Sequence, residues 1–162
     1  MEDHGSTALR RLIEAQRDAL VETHARLGDA TALVERGQVA ALLRFLRDDP
    51  DCGFDVLTDL TAVDYLGETP RFEVVYHLFS YTNRHRLRVK TRVPEEEPEV
   101  DTATGLWPSA NWLEREVYDM YGIRFREHPD LRRLLLYEQF EGHPLRKDYA
   151  KERRQPLLGP RN

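Results

Sequence analysis

The run Ala110–Phe125, "ANWLEREVYDMYGIRF", sets three acids and two arginines among aromatic and large apolar side chains. Glu114, Glu116 and Asp119 are the residue types that share acid–base work in catalysis, one holding a proton while another lacks it. On a helix the same residues have a plainer use. Asn111 stands as an N-cap with Glu114 three residues on, the spacing of a capping box. Arg115 precedes Asp119 by four residues, an ion pair worth about 0.2–0.5 kcal/mol when exposed. Leu113, Val117, Met120 and Tyr121 recur at helical spacing as the core stripe. No nucleophile, glycine-rich phosphate loop or HExxH pair accompanies the acids. Catalysis lacks its other parts, and a capped, braced helix is the simpler reading.

Metal chemistry is no better served. His4, His24, His77, His85, His128 and His143 offer no two ligands at helical spacing, and the last two precede proline, which holds them extended. The single cysteine, Cys52, excludes an intrachain disulfide, a CxxC pair, a cysteine-rich zinc module and a four-cysteine iron–sulfur cluster. Its setting, "DDPDCGFD", raises a thiol pKa and argues against a nucleophile, and one cysteine suits a reducing compartment.

A second charged run closes the chain. His143–Asn162 carries six Lys or Arg and two acids, a net of +4, whereas the whole chain is formally −5. Leu145, Tyr149, Leu157 and Leu158 interleave with those charges. An extended, proline-held segment of this kind buries little on its own but fits along a groove of a partner. The acidic remainder of the protein argues against nucleic acid.

Elements must position these runs. Of the 162 residues, 40% are hydrophobic and 33% charged, enough for one packed domain. Ser6–Leu27 reads as one amphipathic helix, with Ser6 or Thr7 as N-cap and Gly28 as terminator. Gly37–Pro50 reads as a second, with Val39, Leu42, Leu43 and Leu46 on one face. Three strand-like runs follow: an uneven alternation over Phe54–Gly67, then "RFEVVYHLFSY", then "HRLRVKTRV", where Leu87, Val89 and Thr91 oppose Arg86, Arg88, Lys90 and Arg92. Short turns join them, so an antiparallel meander is expected, one face against helices and one charged. A helix over Asn111–Tyr121 ends at Gly122; beyond Arg124 no period survives. The predicted class is α+β, an antiparallel or mixed sheet packed against helices, as a single domain over 1–142 and an extended basic tail over 143–162. No window approaches the ~18 apolar residues of a membrane span, and no signal or transit peptide is visible.

"NWLEREVYDMYGIRF", "HPDLRRLLL" and "EGHPLRKDY", in that order, with "RFEVVYHLFS" and "RLRVKTRVPEEEP" before them, resemble one family from about Leu43 to Leu158. It is the 30-kDa subunit family of NADH:quinone oxidoreductase, respiratory complex I. The resemblance implies a subunit without cofactor or catalytic centre of its own, an enzyme only as part of the complex. It would hold the large quinone-site subunit and adjacent iron–sulfur subunits together in the peripheral arm, while flavin, iron–sulfur clusters and quinone stay in those partners. It implies indirect membrane association, on the cytoplasmic side of a bacterial inner membrane. Glu114, Arg115, Glu116, Asp119, His128, Arg132, Arg133, His143, Arg146, Lys147, Asp148 and Tyr149 are then candidates for contact with partners. The equivalent subunit of a related membrane-bound nickel–iron hydrogenase complex shares the motif, and a free-standing enzyme using Glu114, Glu116 and Asp119 is the third reading. Two departures stand out: "DATALVERGQVAAL" compresses the family's strand–loop–helix lead-in, and Glu127 stands where glycine is common.

Overall fold

The computed structural model describes residues 6–156. Seven strands and three α-helices follow in the order α1 (Thr7–Gln16), β1 (Leu20–His24), β2 (Thr31–Val34), α2 (Val39–Asp48), β3 (Val56–Asp64), β4 (Phe72–Ser80), β5 (His85–Val93), β6 (Glu99–Asp101), α3 (Ala110–Tyr121), β7 (Arg124–Arg126). The main sheet has the order β1-β2-β5-β4-β3, and β6 and β7 form a small parallel pair. The class is α+β with a mixed sheet, as expected.

The meander β3-β4-β5 forms antiparallel as its alternation predicts. The uneven pattern of β3 has a physical source: a bulge between Leu57 and Asp59. It restores the phase, so Leu57, Leu60, Ala62 and also Asp64 point into the core. Leu87, Val89 and Thr91 are buried on β5 while the basic residues between them are not. That inner face meets Leu9 and Leu12 of α1, Leu42, Leu43 and Leu46 of α2, and Trp107, Val117 and Phe125 in one apolar cluster.

The N-terminal expectation is corrected. Ser6 does cap the first helix, accepting from the Leu9 N–H at 3.3 Å, but α1 stops at Gln16. Arg17–Ala19 make a 3-10 turn and the chain continues as β1. "LVETH" carries β-branched Val21 and Thr23, and pairing with β2 outweighs its weak helical spacing. Gly28 (φ +84°), beside Leu27 (φ +58°), turns the β1–β2 connection and ends no α-helix. β2 runs parallel to β5, so "DATALVERGQ" supplies a full strand and a 3-10 turn ahead of α2.

Candidate functional site

The family's signature residues meet at one place, the C-terminal half of α3 and the irregular chain after it. α3 begins at Ala110 after Ser109, so Asn111 lies inside the helix and the capping box does not form. Glu114 instead turns inward and is fully buried. It accepts from the Ala103 N–H at 2.6 Å and lies 2.5 Å from Thr102 Oγ1, which in turn is 2.9 Å from Thr104 Oγ1. Burial pushes its carboxyl up to about 7, against the opposing hydrogen bonds of Thr102 and Ala103. The Thr102 hydroxyl donates to Glu114 Oε2, so both polar neighbours of this buried carboxyl are donors. The buried His128 ring lies 4.0 Å away. His128 Nδ1 accepts from the Asp130 N–H at 3.0 Å, which leaves Nε2–H to donate to the Asn111 carbonyl at 3.1 Å.

The expected Arg115–Asp119 pair gives way to two longer reaches. Arg115 stacks over the Trp112 ring and donates to the carbonyls of Arg132 and Arg133. Asp119 is buried, and its Oδ2 takes three successive backbone N–H groups, those of Leu134, Leu135 and Leu136, at 2.8–3.0 Å. Oδ1 takes Arg133 Nη1 at 2.8 Å. Burial alone would raise the Asp119 carboxyl, but these four donors outweigh it and hold it below the ordinary carboxylate value. A carboxylate that accepts a run of amides fixes the local backbone as a helix cap would. Glu116 is exposed, and so is Arg132, which reaches Asp130.

The segment from His143 to Tyr149 packs on the body and is no free tail. Gly122 ends α3 in the left-handed region (φ +74°), and a Cβ there would lie 2.6 Å from His143 Nε2. His143 Nδ1–H donates to the Asp119 carbonyl at 3.0 Å, and Arg146 Nε to the Tyr121 carbonyl at 2.6 Å. These are carbonyls the helix end leaves open. Burial, with Arg146 and Arg133 nearby, pushes the His143 imidazole below its usual range. The Lys147 N–H donates to Asp64, and Asp148 joins Asp64 and Glu95 around the buried Arg71. Arg71 and Arg146 both lie over the Phe72 ring. Tyr149 stacks on Phe140. Residues 128–149 thus form a strap laced to α3 and to the ends of β3 and β4. Leu157, Leu158 and His4 lie outside the described residues.

Sequence reading missed Asp64, Arg71 and Glu95. A signal existed for the first: Asp64 falls in phase with the inward Leu60 and Ala62, and an acid on a core face needs a buried cation. The arrangement brings Glu114 and Asp119 to separate hydrogen-bonded pockets and leaves Glu116 outside, so the three carboxylates share no reaction centre. Among the described residues no group of three His, Cys, Asp or Glu is placed to hold a metal ion, and no helix is long and apolar enough to cross a membrane.

Residues 32–155 match the profile of the respiratory-chain NADH dehydrogenase 30 Kd subunit. An NADH-quinone oxidoreductase subunit of Roseiflexus sp. is 51% identical over 143 residues, 88% of this chain and 82% of its own. The subunit of the same name from Geotalea uraniireducens is 46% identical over 153 residues, 94% and 88% of the two chains. A solved trypsin-resistant fragment of Nqo5 superposes with a TM-score of 0.68 at 36% identity, over 76% of this chain and 99% of the fragment. A chain of an archaeal respiratory membrane complex, the membrane-bound sulfane sulfur reductase, gives 0.77 at 24% identity, over 92% and 87% of the two chains, a likeness of fold alone. This chain belongs to the 30 Kd subunit family of respiratory-chain NADH dehydrogenase.

Proposed function

We propose that this chain is a structural subunit of the peripheral arm of a proton-pumping NADH:quinone oxidoreductase. It holds the quinone-site subunit and neighbouring iron–sulfur subunits together, and lies beside the electron path without carrying it. The observation that supports this most is the use of its charges. The motif residues Arg115, Asp119, Arg133, Arg146 and Asp148 fix a 128–149 strap to the body. Glu116 and Arg132 remain on the outside. Rigid, pre-shaped segments bind partners at lower entropic cost than loose ones. Flavin, clusters and quinone sit in the partner subunits, and the membrane is reached only through them, on the cytoplasmic side of a bacterial inner membrane.

The test is affinity purification of the chain from gently solubilised native membranes, with mass spectrometry and an absorption spectrum of the eluate. Co-recovery with flavin- and cluster-bearing subunits and NADH-dependent quinone reduction is the expected result. Recovery of the chain alone and colourless contradicts the reading. The equivalent subunit of a related membrane-bound nickel–iron hydrogenase complex is the second reading; recovery with hydrogenase subunits and without flavin subunits would select it. Glu116→Ala, a change to an exposed side chain, is expected to leave the isolated melt within about 0.5 kcal/mol while lowering the yield of assembled arm.

A further inference from the structure

Among the described residues of the strap, Arg146 is the half-buried cation with no ion pair. Arg71 collects three carboxylates, from Asp64, Glu95 and Asp148. Arg153 pairs with Glu141 at 2.7 Å. Arg146, between them, has only the Tyr121 carbonyl on Nε and the flat faces of Phe72. Its two Nη groups have no hydrogen-bond partner among the described residues. It is half-buried, and burial together with the adjacent Arg71 pushes its pKa down despite Asp148, Glu95 and Asp64 nearby. Burial thus leaves this cation short of the water and the direct anion that would stabilise it.

Beside it lies a cavity of about 310 Å³, lined by Gly142, His143, Arg146, Asp148, Tyr149 and Arg153. The flanking Leu145 is 51% exposed even though its backbone is tied to the Met120 carbonyl. Burial lowers the His143 pKa against the opposing Asp119 carbonyl contact, which weakens any positive charge it could add. A planar guanidinium with two open N–H groups matches a carboxylate in shape. One negative charge balances Arg146, whereas a phosphate dianion would also meet the carboxylates of Asp148 and Glu141.

We propose that Arg146 anchors the chain to a partner polypeptide by taking one side-chain carboxylate, from Asp or Glu, in the cavity beside Tyr149, with Leu145 making the adjoining apolar contact. This rests on the subunit reading above and names the chemistry of the partner at that surface. A buried pair of this kind fixes register and slows dissociation.

The test uses the assembled complex carrying Arg146→Lys, treated with a water-soluble carbodiimide, which condenses an amine and a touching carboxylate into an amide with loss of water. Peptide mapping is expected to find position 146 joined to an Asp or Glu of another subunit. A link only to this chain's own Asp148 or Glu95, a link to a second copy of this chain, or no link at 146 in an intact complex overturns the inference and leaves the subunit reading standing. Failure of the unsubstituted chain to co-purify with any other subunit overturns both. As a second measurement, Arg146→Gln is expected to speed loss of the chain from salt-washed complex by about tenfold, with the isolated melt close to native because the Gln amide still donates to Tyr121. Unchanged loss, or collapse of the isolated melt alone, shows a brace and contradicts an anchor.

Discussion

The exposed ion pairs at Asp29 and Glu97 and the strap around α3 use the same kinds of side chain to opposite ends. At the surface, Arg88 meets Asp29 at 3.2 Å and Arg36 meets Glu97 at 2.9 Å, with the acids 66% and 65% exposed. Water competes for each charge there, salt screens it, and holding two long side chains costs entropy. Around α3, Asp119 and Asp64 are almost fully buried, and each takes several donors at once. Removing a partner there strands a charge away from water. Equal numbers of ion pairs in the two regions therefore carry unequal weight, and burial with full hydrogen bonding decides which ones shape the chain.

The largest break in that comparison is Asp119→Ala. It orphans three amides and Arg133 together and is expected to cost about 3–5 kcal/mol in chemical denaturation. A cost under ~1 kcal/mol would mean that solvent readily replaces the carboxylate.

Glu114→Gln tests the other buried acid through pH. The native carboxyl has its pKa raised from 4.5 to about 7, so the folded state binds its proton more tightly than the unfolded state does. That contribution is present in full below pH 4.5 and is lost as pH rises through 7. The shift corresponds to roughly 3 kcal/mol. Relative to Glu114→Gln, the native chain should lose stability steadily over that window; parallel pH profiles would exclude a raised Glu114. Asp119, Asp64 and Asp148, all held below the ordinary carboxylate value by their donors, act with the opposite sign and weaken the fold only in stronger acid.

Glu127 carries a smaller strain. It sits just ahead of the strap with φ +62°, the left-handed region where a β-carbon crowds the backbone. This is the position at which the family resemblance expects glycine. Glu127→Gly is expected to raise stability by about 1 kcal/mol, read as a higher thermal midpoint. The smallest effect belongs to an exposed pair: Asp29→Ala should stay within ~0.5 kcal/mol and vanish in high salt.

Much of the fold was legible because it rests on period. β5 alternates, α2 repeats its leucines at helical spacing, and Gly122 marks a left-handed cap. β1 was not, because a five-residue strand gains its stability from β2 across a turn rather than from its own sequence. At the site, the sequence located the charged residues and their i, i+4 arithmetic, but local spacing cannot foresee long reaches. Asp119 lies 14 residues from Arg133, and Asp148 lies 77 from Arg71. Helical geometry offered Asp119 an exposed pairing with Arg115, whereas the folded chain gives it three buried amides, which bind a carboxylate more firmly than one solvated cation. The basic tail likewise read as unburied, because its anchors, Phe72, Asp64 and Arg71, sit on strands far away in sequence.

The central claim, that the signature charges hold the 128–149 strap in place, is tested most directly by amide hydrogen exchange of the isolated chain against Asp119→Ala. The expected result is loss of protection at Leu134, Leu135 and Leu136, reaching Leu145 and Lys147, while β4 and β5 keep theirs. Unchanged protection across the strap, or an equal loss throughout the sheet, would contradict it.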